Sequence, residues 1–327
     1  MNISKFKKFL FLFSIFFAVI IVLFLSGPQE KVDTTIHVSV SQDLDEYLKK
    51  SEGNFKDIVP GTEKIISWRK PDKKNKTYYS ILFFHGFSAS RQEYVPVIDD
   101  LANGIDANIF YTRLNGHGRG EEPMGRATVN GWLNDGVEAI EIGKRIGDKN
   151  IIVCSSTGCT LAIWLATQEK WKKDISAIVM LSPNLMPKHP ISKIAWLPWG
   201  KQILKLIIGD YREWKPENEL QGKYWTHRYR TEVIYTMMKF VELVNDQDLK
   251  KFTIPLLLIY SENDGVISVP ALKEKFKQFS SPNKQIIAFE KSADPYNHIL
   301  AGDILSPQSN KEILELILKF IQDLPKE

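Results

Sequence analysis

Cysteine is nearly missing from this chain, with only Cys154 and Cys159 among 327 residues. That count excludes a disulfide framework. A bridge between these two would have to reach from a strand end across a turn into the next helix, which disulfide geometry disfavours. Both read as small packing residues. Histidine is also scarce, and His37, His189 and His227 are too scattered to suggest a metal site. No metal-ligand spacing is visible, and no cofactor is implied. An excess of one charge is missing as well: 43 basic and 39 acidic residues give a net charge of +4. Setting aside Lys5, Lys7, Lys8 and Glu30 leaves 40 basic and 38 acidic residues from Lys31 onward. A body this near neutrality offers no electrostatic reason for a nucleic-acid partner. Repeats and low-complexity tracts are absent. A hydrophobic content of 43% over 327 residues excludes disorder and allows one large α/β domain with an insertion.

One long apolar run is present. Phe9 to Leu25 is interrupted only by Ser14, follows three lysines and ends in Ser26, Gly27 and Pro28. It approaches the ~20 residues that span a bilayer, whereas the apolar region of a signal peptide is usually ~7–15 residues long. With no small-x-small cleavage pattern behind it and no cysteine for lipid attachment, an uncleaved single-pass anchor is expected over residues 9–25. The lysines would hold residues 1–8 in the cytoplasm and place the body outside it. Residues 26–60 read as a linker and lead-in, with a short helix around Asp43 to Lys50.

Beyond residue 60, strand-like and helix-like patterns alternate. Lys64–Trp68 and Tyr78–Phe84 flank a turn-rich segment, Pro71 to Lys76, and read as a hairpin. Further strands are expected at Asn108–Thr112, Ile151–Cys154, Ala177–Leu181, Pro255–Tyr260 and Lys284–Phe289, with helices at Glu93–Asn103, Val129–Ile146, Thr160–Lys172 and Val269–Phe279. This order predicts an α/β class, a doubly wound, mostly parallel sheet covered on both faces. The alternation lapses between about Leu185 and Phe252, where Trp196, Trp199, Trp214 and Trp225 fall. We expect residues 61–184 and 254–327 to form the core and residues 185–253 a mostly helical cap, whose aromatics either pack it onto the sheet or cover a ligand cleft.

The strand Ile151–Cys154 breaks into Ser155, Ser156, Thr157 and Gly158 before an apolar helix. A serine at such a strand–turn–helix apex projects its hydroxyl outward, while the following amides point at whatever it attacks. Ser156 is the candidate nucleophile. A serine hydroxyl needs a base and a group that orients that base. His298, on a loop after the last strand, can supply the base, and Asp264, just past Pro255–Tyr260, the acid. The backbone N–H groups of Thr157 and Phe87, the latter in a glycine turn after a strand, are candidate oxyanion donors. Ser155 as nucleophile, Asp294 or Glu262 as acid, and His85 or His117 as proton carriers are the weaker alternatives.

The blocks HGFSAS at 85–90, RLNGHG at 113–118, CSSTG at 154–158, SENDGVIS at 261–268 and NHILAGD at 297–303 stand in order along the chain. Together they resemble the monoacylglycerol-lipase-like serine esterases of the α/β-hydrolase superfamily over roughly residues 60–325. The resemblance implies Ser156 as nucleophile, Asp264 as acid, His298 as base and the Phe87 and Thr157 amides as oxyanion donors. One position departs: Cys154 stands where the family usually has glycine, and the turn is expected to survive with altered packing. The resemblance implies hydrolysis of lipid-like or other acyl esters through an acyl-enzyme. Aminopeptidase or amidase activity on the same triad, with Glu213, Glu217 or Glu219 receiving a substrate amine, and a catalytically silent binding protein are the rivals. Partners are expected to be a small-molecule or lipid ester and, through the anchor, a membrane.

Overall fold

The computed structural model describes residues 3–324, with side chains from residue 6. The outermost parts of the expected cytoplasmic segment and of the core, residues 1–2 and 325–327, lie outside the described residues. Nine strands are described: β1 (Ile65–Ser67), β2 (Thr77–Phe84), β3 (Asn108–Tyr111), β4 (Gly147–Ser155), β5 (Ala177–Leu181), β6 (Tyr211–Glu213), β7 (Arg228–Arg230), β8 (Leu256–Tyr260) and β9 (Lys284–Ala288). The helices are α1 (Ile3–Leu25), α2 (Leu44–Gly53), α3 (Val97–Gly104), α4 (Glu121–Gly125), α5 (Val129–Ile146), α6 (Thr157–Thr167), α7 (Glu169–Lys172), α8 (Gly200–Ile208), α9 (Glu219–Tyr224), α10 (Glu232–Asn245), α11 (Val269–Gln278) and α12 (Asn310–Gln322).

Seven strands form one sheet in the order β1-β3-β2-β4-β5-β8-β9, parallel except for β1. Because strand side chains alternate between faces, each strand feeds two cores. Leu82, Phe84, Ile152, Cys154, Ile178, Met180, Leu256 and Leu258 face α5, α6, α10 and α11. Ile81, Phe83, Ile151, Val153, Val179, Leu181, Leu257 and Ile259 face α3 and α12. Burial on both sides explains why these strands read as unbroken apolar runs.

The expected hairpin does not form. β1 pairs antiparallel with β3, Ile66 opposite Phe110, while β2 lies between β3 and β4. The reason is visible in β2, where Ser80 to Phe84 are buried: its backbone groups are taken by parallel neighbours on both edges, so only the outer edge of β3 is open to β1. Two expected helices are divided. Pro96 separates a 3₁₀ turn, Arg91–Tyr94, from α3, and Gln168 separates α6 from α7. The segment between β5 and β8 carries α8, α9 and α10 and is mostly helical, with an unforeseen antiparallel ribbon of β6 and β7. α1 contains one stretch, Phe6–Leu25, of 20 residues and mean hydropathy 2.8, unburied by the rest of the protein. Membrane anchors and signal sequences share that length and composition.

Before α2, Val32, Ile36, Val38 and Val40 pack on the edge of the core, and Asn134 Oδ1 accepts the His37 N–H at 2.7 Å. α2 and β1 are joined to α5 by a buried charge cluster. Lys64 Nζ lies 3.1 Å from Asp135 and 2.6 Å from Glu138, whose other oxygen accepts the Tyr47 hydroxyl proton at 2.7 Å. Burial alone would pull the Lys64 ammonium down, but these two carboxylates hold it above the usual lysine range. Removing the cation strands two buried carboxylates, so Lys64→Ala should lower the unfolding free energy by about 3–5 kcal/mol in urea denaturation. A loss below about 1 kcal/mol would mean that the cluster behaves as an exposed pair.

Candidate active site

β4 is the central strand, and its last residue, Ser155, leads directly into Ser156 at φ 47 and ψ −115. That left-handed conformation is costly for a residue with a Cβ and persists only when its surroundings enforce it. Here the Ser156 N–H donates to Leu181 O at 3.0 Å, and the Ser156 carbonyl accepts the Asn184 N–H at 3.0 Å. The first turn of α6 then passes so close to the end of β2 that a Cβ on Gly158 would overlap the carbonyl oxygens of Phe84 and His85. Glycine is required there. Cys154 leaves the turn intact: it is fully buried in β4, with its Sγ 3.4 Å from Val179 O. Cys159 is also buried, and both are free thiols.

Loops after β4, β8 and β9 converge at this turn. His298 Nε2 lies 3.0 Å from Ser156 Oγ, and His298 Nδ1 lies 2.8 Å from Asp264 Oδ2. With Nδ1–H donating to the carboxylate, the Nε2 lone pair faces the serine hydroxyl. Asp264 is itself held, its Oδ1 accepting the N–H groups of Val266 and Ile267 at 2.8 and 2.9 Å. Burial disfavours a charged His298, yet Asp264, with Asp294 and Glu93 behind it, outweighs that effect and raises the imidazole above its ordinary value. The Thr157 N–H opens α6 and has no acceptor one turn back. Among the described residues, neither this amide nor that of Phe87 is taken by a backbone acceptor.

The weaker alternatives fall elsewhere. Ser155 is fully buried at the end of β4, beside Glu93 and Tyr94. Glu262 bonds Lys273 and Tyr260. Asp294 Oδ2 accepts the His298 and Ile299 N–H groups at 2.9 Å each, so it shapes the loop and leaves the imidazole to Asp264. His85 Nε2 accepts the Leu114 N–H at 3.1 Å, and His117 Nε2 accepts the Ser88 N–H at 3.0 Å. Burial pushes His85 down to about 4 and His117 well below its usual range, so both are neutral braces between the loops at 85–90 and 113–118. Among the described residues, no group of three His, Cys, Asp or Glu side chains is arranged to hold a metal.

Sequence patterns missed two neighbours of the site. Glu93, in the 3₁₀ turn, is buried, and its Oε2 accepts the Gly86 N–H at 2.8 Å. Asn184, three residues past β5, donates from Nδ2 to Thr157 Oγ1 at 3.2 Å and to Met237 Sδ of α10 at 3.3 Å. Neither carries a local signal, because a glutamate beside a helical pattern reads as solvated and an asparagine after a strand reads as a turn. Among the described residues, no tryptophan between β5 and β8 is one of the aromatic rings against Phe87. Trp225 is buried in the core facing α12, and Trp196 donates to Met238 O at 3.0 Å. Instead the Phe87 ring meets Tyr229 of β7 at 5.4 Å and Trp132 of α5 at 6.4 Å, and Trp132 meets Phe240 of α10 at 5.6 Å. Glu213, Glu217 and Glu219 are all exposed.

A mostly parallel central sheet, a strained strand–helix turn and three residues meeting at its tip define an α/β-hydrolase. More closely, the chain belongs to the serine aminopeptidase S33 family, whose model matches residues 75–293. Similar solved structures include one from the study of LipS and LipT, two metagenome-derived lipolytic enzymes, at 21% identity and TM-score 0.62, covering 81% of this chain and 99% of that one. The monoacylglycerol lipase of Paleococcus ferrophilus is 16% identical with TM-score 0.60, covering 79% and 98%. A soluble variant of the Saccharomyces cerevisiae monoglyceride lipase is 13% identical with TM-score 0.62, covering 81% and 92%. At these identities the likeness is one of fold. Comparison with curated proteins finds no match.

Glu93 generates a stability prediction. Burial raises its carboxyl from 4.5 to about 7, against the lowering effect of the Gly86 N–H. Between those values the unfolded chain has released a proton that the folded chain keeps, so rising pH removes up to about 3 kcal/mol of stability. Gln keeps an acceptor for Gly86 without a charge. The melting temperature of Glu93→Gln relative to wild type should therefore climb from pH 5 to pH 8, and a difference independent of pH would contradict the buried ionisation.

Proposed function

We propose that this protein is a membrane-anchored serine hydrolase that cleaves carboxylic esters with apolar acyl groups through an acyl-enzyme. The observation that carries this reading is the unbroken chain from Ser156 Oγ through His298 to Asp264, at 3.0 and 2.8 Å. In the reaction, Ser156 Oγ attacks the ester carbonyl as His298 Nε2 takes its proton. The developing oxyanion is held by the Phe87 and Thr157 N–H groups, each such donor being worth about 2.7–4 kcal/mol of barrier. Collapse expels the alcohol with the proton from His298. Water, deprotonated by the same nitrogen, then releases the acid.

In this reading residues 61–184 and 254–327 are the catalytic core, and residues 185–253 cap it. The cap lays Tyr229 and Phe240 into the aromatic cluster around Phe87, which favours an apolar acyl chain. Residues 9–25 are an uncleaved anchor with the body outside the cytoplasm. The family's description favours aminopeptidase activity as the second reading. Against it, the carboxylates beside the nucleophile already have partners: Asp264 and Asp294 take backbone amides and Glu93 takes Gly86. The cap glutamates Glu213, Glu217 and Glu219 are exposed to solvent, and Glu213 lies 3.7 Å from Arg228. A silent scaffold would have no need of the strain at Ser156.

Ser156→Ala should abolish labelling by a fluorophosphonate probe and lower kcat/KM on a nitrophenyl ester on the order of 10⁴-fold or more. Undiminished labelling of the folded variant would overturn the assignment. Short-chain esters should be turned over in preference to amino-acid anilides, and the reverse order would favour the aminopeptidase. Because His298 must be neutral to act as base, kcat/KM should fall as pH drops through an apparent pKa above the ordinary 6.5. In Asp264→Asn that acid limb should move to lower pH along with the loss of rate, and an unmoved limb would assign the titration to another group.

A further inference from the structure

Exposed apolar side chains of the folded body cluster on α8 and the turn before it. Leu206 is 87% exposed, Ile207 51%, Leu197 46% and Trp199 38%. α8 is apolar on two sides. Leu204 and Ile208 pack against Ala195, Tyr235 and Met238, while Trp199, Ile203, Leu206 and Ile207 fall at i, i+4, i+7 and i+8, a helical stripe turned the other way. A patch of this kind on a folded body marks an interaction surface.

What covers it is indicated by where α1 ends. The Trp199 indole Nε1–H donates to the Leu23 carbonyl at 3.0 Å, its ring lies against Gly27, and Lys201 Nζ is 2.7 Å from Glu30. The apolar stretch Phe6–Leu25 has 20 residues, about 30 Å of helix, which equals the hydrocarbon thickness of a bilayer. Leu23 to Gly27 therefore stand at a membrane boundary, and Trp199 stands with them, at the depth where tryptophan is favoured. The Lys201 and Lys205 side chains are spent on Glu30, Asp210 and Glu232, so the stripe offers apolar contact and no surplus of cationic charge.

We propose that α8 with Leu197 and Trp199 is a membrane-docking foot that buries its outer stripe in the interfacial layer of the same bilayer that α1 crosses. The inference rests on reading α1 as a retained span. Its occupant is the acyl–headgroup boundary of a lipid surface, without a requirement for anionic lipid. The foot reaches the site through the cap: α8 packs on α10, and Met237 of α10 accepts from Asn184, which bonds Thr157 beside the nucleophile. Docking would fix the cap's orientation to the membrane, and an ester dissolved in the bilayer would meet the cap before it meets bulk water.

The full chain can be reconstituted in phosphatidylcholine vesicles, with an environment-sensitive NBD label on Leu206→Cys, Phe16→Cys or Lys76→Cys; the native Cys154 and Cys159 are buried and give little background. Lys76 precedes β2, at the end of the sheet opposite the cap. Acyl chains carrying bromine should quench the Leu206 and Phe16 labels at least twofold and leave the Lys76 label unchanged. Quenching at Phe16 without quenching at Leu206 overturns the foot and leaves the anchor standing. Equal quenching at Lys76 and Leu206 also overturns it, since the body would then lie on the lipid without selecting α8. No quenching at Phe16 overturns the retained span and the foot together.

Discussion

The close approach of α6 to the end of β2 is the constraint on which the site depends. Gly158 lets the first turn of the helix press against the Phe84 and His85 carbonyls, where any side chain would collide. That contact forces Ser156 into its left-handed conformation and lifts its hydroxyl off the sheet. It also sets the Thr157 amide beside the loop that carries Phe87. The strain is local, and the burial of β2, β4 and β5 on both faces of the sheet, with all three parallel and in register, opposes it.

Around this turn the electrostatics are layered. Asp264 contacts the imidazole, Asp294 holds the backbone of the histidine loop, and Glu93 accepts the Gly86 amide proton in the loop that carries Phe87. The three carboxylates differ in what they touch, yet all favour a cation on His298. The two neutral histidines, His85 and His117, do the opposite kind of work: they use ring nitrogens as fixed acceptors for backbone amides and carry no charge. Carboxylates thus lie behind the imidazole, while neutral imidazoles brace the neighbouring loops.

The segment between β5 and β8 connects this chemistry to the surface. Tyr229 and Phe240 join the aromatic cluster at Phe87, α10 touches Asn184, and α8 meets the end of α1. One insertion therefore faces the Phe87 loop on its inner side and the apolar N-terminal helix on its outer side. Its tryptophans divide by the same logic, with Trp196 and Trp225 packed inward and Trp199 left against the end of α1.

Much of this was legible in the chain. The β-branched and apolar runs mark the buried strands because two-sided burial leaves no room for polar residues, and the small polar apex at 154–158 marks a turn because a strand must stop there before a helix begins. The order Ser156, Asp264, His298 could be read for the same reason: each follows a strand, and the ends of parallel strands meet on one side of the sheet. Tertiary structure alone decided the rest. β1 joined β3 because β2 had no free edge, Glu93 became a buried partner of Gly86 because the 3₁₀ turn folds back against the Phe87 loop, and Trp199 met Leu23 across 176 positions of sequence. Periodicity along a chain records which way a side chain faces. It carries no record of which distant backbone will be waiting there, and that is set only when the sheet order and the insertion are in place.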